Sequence, residues 1–130
     1  MYCLDTNILV GMLRGDASLK SKCFALKEEG AELFITPVTL CELYRGAYLS
    51  DRVEDNLSEI HAFILSFSLL EFSDDACSIF GKEYARLQRL GNIPPEFDLI
   101  IASIAKANDL VLITRDKKDF ENIDIKIKEW

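Results

Sequence analysis

The sequence predicts an α/β domain with a mostly parallel central sheet, folded as a single domain over residues 1–130. Short apolar runs alternate with longer segments whose apolar residues recur every three or four positions, which is typical of strands joined by helices. A chain of this length can bury a core without disulfides or structural metals. Its 49% hydrophobic and 28% charged residues are ordinary for a globular protein, which argues against disorder.

The N-terminal half predicts two strands and four helices. The apolar run Tyr2–Leu4 predicts a buried strand, and Gly15 ends the short helix that follows it. Ser18 is predicted to cap the second helix, Pro37 suits the first position of the third, and Asp51 is predicted to cap the fourth. The predicted elements are strand 2–4, helix 8–13, helix 18–29, strand 33–35, helix 37–49 and helix 52–66.

The C-terminal half predicts two helices, two buried strands and an edge strand. Ser73 begins the fifth helix and Gly91 ends it. Ile123, Ile125 and Ile127 alternate with charged residues, which predicts a half-exposed edge strand. The predicted elements are strand 69–72, helix 73–90, loop 92–95, helix 96–108, strand 111–113 and edge strand 123–127.

Cysteine, histidine and apolar-run content predict a cytoplasmic protein. Four irregularly spaced cysteines in apolar neighbourhoods predict small buried side chains in a reducing compartment. These are Cys3, Cys23, Cys41 and Cys77. His61 is the only histidine and lies mid-helix, which argues against zinc and against mechanisms that need two histidines. No apolar run approaches the ~20 residues of a membrane span, and no secretory signal is recognisable at the N-terminus.

The net charge of −7, from 22 acidic and 15 basic residues, taken alone disfavours nucleic-acid binding. Two arrangements are compatible with this charge. Clustered carboxylates that bind a cation would reverse the local sign, and a basic protein partner would complement the acidic surface.

Four acidic residues are predicted to meet at one edge of the sheet. Asp5 directly follows the first strand, and Asp116 lies three residues after Ile113, the last apolar residue of the fourth strand. Glu42 lies in the second turn of the helix after the second strand, and Asp98 in the first turn of a later helix. The carboxyl ends of parallel strands share one edge, where such sheets bind their ligands. We therefore expect these carboxylates to converge.

Each of these acids also has a purely structural explanation. Asp5 and Asp116 can cap helices, Asp98 can complement a helix dipole, and Glu42 can be solvated. However, Glu42 and Asp98 lie in largely apolar segments, where an unpaired carboxylate is costly. Four converging carboxylates also repel one another, and a divalent cation relieves that repulsion. Because the set offers only oxygen ligands, it favours Mg²⁺, with Mn²⁺ as the alternative.

Four short motifs are spread over nearly the whole chain. They are L-D-T-N at 4–7, T-x-x-x-x-x-E-L at 36–43, F-D-x-x-I-A at 97–102 and L-I-T-R-D-x-x-D-F at 112–120. None is specific alone, but together they resemble the PIN domain family and, within it, the VapC-type toxins of toxin–antitoxin systems. The resemblance implies a three-layer α/β/α sandwich and a Mg²⁺-dependent endoribonuclease.

The resemblance also implies roles for individual residues. The implied catalytic acids are Asp5, Glu42, Asp98 and Asp116, of which Asp5, Asp98 and Asp116 would hold the metal. The implied supporting residues are Thr6, Asn7, Thr114 and Asp119. The family often has Asn at the position of Asp116 and an acid three residues later. Here both positions are acidic, and Asp116 is favoured because it is nearer to the strand end.

The expected reaction is hydrolysis of RNA phosphodiester bonds. The metal would polarise a phosphoryl oxygen and lower the pKa of a bound water, which Glu42 would position or deprotonate. The resemblance further implies a cognate antitoxin protein that covers the site, and a homodimer. The RNA target does not follow from the sequence.

Two other functions are alternatives at this point. A phosphoaspartyl phosphatase of the haloacid dehalogenase-like class also begins with a strand-end Asp, but Asn7 stands where its second Asp belongs. A non-catalytic PIN-like scaffold that only binds RNA or protein would be expected to lose its acids, whereas all four are present here.

Overall fold

All five strands of the central sheet run parallel, in the order β3-β2-β1-β4-β5. The structure is a computed structural model that describes every residue, Met1–Trp130. The strands are β1 (Tyr2–Leu4), β2 (Leu33–Ile35), β3 (Ser68–Leu69), β4 (Val111–Thr114) and β5 (Ile127–Glu129). The helices are α1 (Thr6–Leu13), α2 (Ala17–Glu28), α3 (Pro37–Tyr48), α4 (Val53–Ile64), α5 (Asp74–Arg89) and α6 (Glu96–Ala107), with a 3₁₀ turn at Lys117–Phe120.

The sheet separates two apolar cores, because successive side chains of a strand point to opposite faces. Cys3 and Leu112 pack into the core that contains the buried residues of α5 and α6. Their neighbours Leu4 and Ile113 pack into the core formed with α1, α2, α3 and α4. The predicted α/β class and the three-layer α/β/α sandwich are therefore confirmed.

The two central strands deliver the functional edge. β1 and β4 are in register, with Leu4 opposite Ile113, and the Asp5 N–H donates to the Ile113 carbonyl at 2.9 Å. This pairing brings the residues after β1 beside those after β4. Helices α1 and α3 begin directly after β1 and β2, so their first turns lie at the same edge of the sheet.

The cap residues of two helices differ from the prediction. Asp16, not Ser18, caps α2, since its Oδ1 accepts the Leu19 N–H at 3.1 Å. Asp51 does not cap α4, which begins at Val53 without a side-chain cap. Both predicted caps lie within two residues of the first residue of their helix. Residue spacing alone does not determine which residue caps the helix.

α1 begins at Thr6, two residues before its predicted start at Ile8. The Asp5 carboxylate accepts the Thr6 N–H, which provides a cap that allows the helix to begin directly after the strand.

The peripheral strands are shorter than predicted. β3 comprises only Ser68–Leu69 rather than residues 69–72, and the chain pairs once more through the N–H of Leu70. At the other edge, Ile123 is buried in a tight turn, where its carbonyl accepts the Ile125 N–H at 2.9 Å. The strand proper starts only at Ile127.

The cysteine prediction is half wrong. All four cysteines are free, and Cys3 and Cys23 are buried as predicted. Cys41 and Cys77 are exposed, because each lies on the outward face of an amphipathic helix.

No helix in the structure is long and apolar enough to cross a membrane.

The cap assignment can be tested by two substitutions in the same helical turn. Asp16→Ala should lower the free energy of unfolding by about 1–2 kcal/mol, because it leaves the Leu19 N–H without its acceptor. Ser18→Ala should change it by less than about 0.5 kcal/mol. Urea denaturation measures both, and equal losses in the two variants would contradict the assignment.

Candidate active site

Asp5 is the most rigidly held of the predicted acids. It is 2% exposed at the end of β1. Its Oδ1 accepts the Thr6 N–H at 2.8 Å, and its Oδ2 accepts the Thr114 hydroxyl at 2.8 Å. Thr6 of α1 and Thr114 of β4 therefore fix both carboxylate oxygens. These two predicted supporting residues thus contact Asp5.

Thr6 connects this acid to Glu42 on α3, because its N–H donates to Asp5 and its hydroxyl donates to Glu42. The Thr6 hydroxyl donates to Glu42 Oε1 at 2.8 Å and lies 2.9 Å from the Thr39 hydroxyl. The Thr36 hydroxyl caps α3 by accepting the Thr39 N–H, and both threonines are completely buried. Glu42 itself is only 22% exposed, with Arg45 at 3.8 Å. The structure thus orients Glu42 toward the strand edge from one turn along its helix.

Thr39 is a member of this network that the sequence analysis missed. The available signal was its position three residues after Thr36 and three before Glu42, which places all three along one side of α3. A buried hydroxyl needs a hydrogen-bond partner, so a threonine at that position predicts a polar neighbour.

Asp116 is held at the end of β4 from two sides. Its Oδ2 accepts a hydrogen bond from the Asn7 side-chain amide, and its N–H donates to the Thr114 hydroxyl at 3.0 Å. The 3₁₀ turn that follows is anchored by the fully buried Phe120. Asp116 does not cap this turn with its side chain, so its carboxylate is available to the site.

Asp98 is the acid whose protonation responds most to its neighbours. It lies half-buried in the first turn of α6. Burial raises its pKa to about 7, and the negative charges of four other carboxylates add to the effect. In decreasing order of effect they are Asp5, Asp119, Glu42 and Asp116.

The pKa of Asp5 rises to about 6 for the same reasons. Burial is again the largest cause, the hydrogen bonds from Thr114 and Thr6 oppose it, and Glu42 and Asp116 add repulsion. The structure therefore brings all four predicted acids, with Asp119, within electrostatic reach of one another at one sheet edge.

These carboxylates do not form a ready-made metal cage. No three His, Cys, Asp or Glu side chains are grouped closely enough to hold a metal ion. Two of the acids accept hydrogen bonds from neighbouring side chains, Glu42 from Thr6 and Asp116 from Asn7. The donor set nonetheless has the chemistry of a hard-cation site, because it is made only of oxygens, and burial together with the neighbouring carboxylates raises the pKa values of Asp5 and Asp98.

Comparison with known proteins identifies the fold family. Residues 2–126 match the PIN domain. The chain belongs to the PIN domain family. The family predicted from the four sequence motifs is therefore confirmed.

Full-length relatives within the family are VapC proteins. The tRNA(fMet)-specific endonuclease VapC of Shigella flexneri is 29% identical over 130 residues, which cover 99% of this chain and 97% of that protein. Ribonuclease VapC2 of Haemophilus influenzae is 28% identical with the same coverage. A chain in the crystal structure of VapBC2 from Rickettsia felis bound to promoter DNA has a TM-score of 0.93 and 28% identity, covering 99% of this chain and 98% of that one. The predicted VapC type and the nuclease class are thereby confirmed.

The burial of Asp98 and its repulsion by neighbouring carboxylates lead to a prediction about the stability of this PIN domain. Asp98→Asn should raise the free energy of unfolding of the metal-free protein by about 1–2 kcal/mol at about pH 8. The pKa of Asp98 is higher in the folded protein than in the unfolded chain. The unfolded chain therefore releases this proton at a lower pH than the folded protein does. Folding stability therefore falls as pH rises from 3.8, the ordinary value, to about 7. The gain is smaller than the full shift because the carboxyl keeps some contact with water.

The control for this prediction is Glu96→Gln in the same first turn of α6, where the side chain is exposed. It should leave stability nearly unchanged. Thermal melts in EDTA at about pH 8 and about pH 4 should show the Asp98→Asn gain only at the higher pH. A gain of equal size at both pH values would contradict a charge-based cause.

Proposed function

We propose that this VapC-type protein is a Mg²⁺-dependent endoribonuclease that acts as the toxin of a toxin–antitoxin pair. The observation that carries the proposal is the convergence of Asp5, Glu42, Asp98 and Asp116 at the carboxyl edge of β1 and β4. Two of these carboxyls have pKa values raised by burial and by the others. Such a cluster is unfavourable in the metal-free fold and favourable around a cation.

Asp5, Asp98 and Asp116 are the residues that would hold Mg²⁺, with Mn²⁺ as the alternative ion. A divalent ion at this place supplies charge neutralisation of the phosphate and a bound water of lowered pKa. Asp5 contributes a fixed position, since both of its oxygens are already hydrogen-bonded. Asp98 contributes a carboxyl that loses its proton near neutral pH, so metal affinity should increase as pH rises through about 7.

Glu42 is the proposed residue that positions or deprotonates the attacking water. The Thr6 hydroxyl holds Oε1, which leaves Oε2 to accept a hydrogen bond. Arg45 Nη2 lies 3.8 Å from Oε2. Asn7 and Thr114 support the reaction by fixing Asp116 and Asp5 rather than by contacting RNA.

The substrate and partners are proposed from relatives. One relative is named a tRNA(fMet)-specific endonuclease and another a ribonuclease, so tRNA is the first RNA class to test. Several structural neighbours are VapBC complexes, which supports a cognate antitoxin partner for this chain. We further propose a cytoplasmic homodimer, as the family resemblance implies.

Removing one acid should separate activity from folding. Asp5→Asn should lower the rate of tRNA cleavage in Mg²⁺ at least about hundredfold, because it removes a charged metal ligand. The fold should survive, since an Asn side chain can still accept the Thr6 N–H and donate to the Thr114 hydroxyl. A gel assay with unfractionated tRNA measures the rate, and thermal melting checks the fold.

Asp109→Asn is the matched control for that experiment. Asp109 is an exposed acid at the opposite end of the strands, with a φ of 51° that Asn tolerates. It should cleave at the wild-type rate. Wild-type activity in Asp5→Asn would contradict the assignment, and RNA binding without cleavage in the wild-type protein would favour a non-catalytic scaffold.

The two acids after β4 can be distinguished by parallel substitutions. The cleavage rate of Asp116→Asn should be at least about tenfold lower than that of Asp119→Asn, because Asp116 lies nearer to Asp5 along the strand end. Asp119 should act mainly through its charge on Asp98. Cleavage rates over a Mn²⁺ titration measure both variants, and the reverse order would make Asp119 the metal ligand.

A further inference from the structure

A polar cavity of about 560 Å³ lies directly beside the acidic cluster. It is enclosed by α1, the turn between α1 and α2, and the segment after β4. It shares Asn7 and Asp116 with the proposed active site and contains two arginines, Arg14 and Arg115. The cavity therefore continues from the acids and places two guanidinium groups beside them in a protein whose net charge is −7.

Arg115 is held in this cavity by two features of the fold. Its Nη2 donates to Asp16 Oδ2 at 2.8 Å, across the turn that joins α1 to α2. Its guanidinium also lies against Gly11, in the middle of α1, where a Cβ atom would be only 3.0 Å from Cζ and 2.6 Å from Leu19 Cδ1 of α2. The absence of a side chain at Gly11 therefore provides space that both Arg115 and Leu19 occupy.

A stabilising role alone does not account for this arrangement. Glycine inside a helix lowers helix stability relative to alanine. The Arg115–Asp16 pair is more than one third exposed on both sides, and pairs of that kind contribute little. The ion pair therefore contributes little to stability, and its more substantial effect is to hold the guanidinium in the cavity beside the acids.

Both arginines retain hydrogen-bonding capacity toward the cavity. Arg115 uses only one of its five N–H donors within the protein. The Arg14 side chain has no ion pair in the structure and is exposed at the end of α1. Planar guanidinium groups with free donors match the geometry of phosphate oxygens.

We propose that Arg14 and Arg115 bind a backbone phosphate of the RNA next to the bond that is cleaved. The proposal rests on the proposed function, since it takes RNA as the ligand and the acids as the cleavage site. Arg115 is set in place by Asp16 and Gly11, whereas Arg14 is exposed and has no ion pair. The pair supplies the local positive charge that an acidic nuclease needs to retain a polyanion.

The test is the salt dependence of RNA binding. The probe is a short fluorescein-labelled single-stranded RNA of mixed sequence, titrated with protein in Ca²⁺ buffer over a series of KCl concentrations and followed by anisotropy. Arg115→Ala and Arg14→Ala should each weaken binding and flatten the slope of log K against log[KCl] by up to about 0.7, the value for one lost phosphate contact on a single strand.

Two further variants separate position from net charge. Lys126→Ala removes one exposed positive charge at the opposite end of the strands, where Lys126 pairs with Asp109, and should keep the wild-type slope. Gly11→Ala changes no charge but displaces the Arg115 guanidinium together with the Leu19 side chain, and a folded Gly11→Ala protein should flatten the slope as Arg115→Ala does. If melting shows that Arg115→Ala or Gly11→Ala does not fold, Arg14→Ala carries the test alone. The Arg14 side chain has no ion pair to lose.

The outcomes are distinct. Wild-type slopes in both arginine variants, or an equal flattening in Lys126→Ala, would overturn the phosphate site and leave the proposed nuclease function standing. A wild-type protein that binds no RNA under any of these conditions would overturn the proposed function and the phosphate site together.

Discussion

The repulsion among carboxylates at one edge of a parallel sheet is the constraint on which the rest of this structure depends. Parallel pairing of β1 with β4 places Asp5 and Asp116 together, and helices that start at that edge add Glu42 and Asp98. The fold cannot spread these charges apart without changing its topology. Burial together with this repulsion raises the pKa values of Asp5 and Asp98, and a bound cation would favour the charged form of both carboxyls.

Neutral hydrogen-bond donors make the strained cluster compatible with a stable fold. The Thr6 N–H and the Thr114 hydroxyl satisfy Asp5, and the Thr6 hydroxyl satisfies Glu42. Hydroxyl and amide donors orient the carboxylates and leave their charge in place. A lysine or arginine side chain would neutralise that charge. No buried side-chain polar atom in the structure lacks a partner. The site is therefore preorganised in its hydrogen bonds, while Asp5, Asp98 and Asp116 have no ion-pair partner, which is the condition that favours binding of a divalent ion.

The sequence predicts the parts of this molecule that are encoded locally and fails where competing residues stand close together. The strand ends and the position of Asp5 follow from apolar runs, because burial on both faces leaves little freedom in β1 and β4. The cap of α2 was misassigned because Asp16 and Ser18 are both good caps two residues apart. The contacts of Thr39 and the seating of Arg115 on Gly11 depend on helix packing, which periodicity does not determine.

The most direct test of the account is a calorimetric titration of the metal-free protein with Mn²⁺ at about pH 6.5, in two buffers of different ionisation enthalpy. At that pH the pKa values of about 6 for Asp5 and about 7 for Asp98 leave both carboxyls partly protonated. The account predicts Mn²⁺ binding that releases roughly one proton and that disappears in the Asp5→Asn/Asp98→Asn double variant. Binding that persists unchanged in the double variant, or no binding to the wild-type protein, would contradict it.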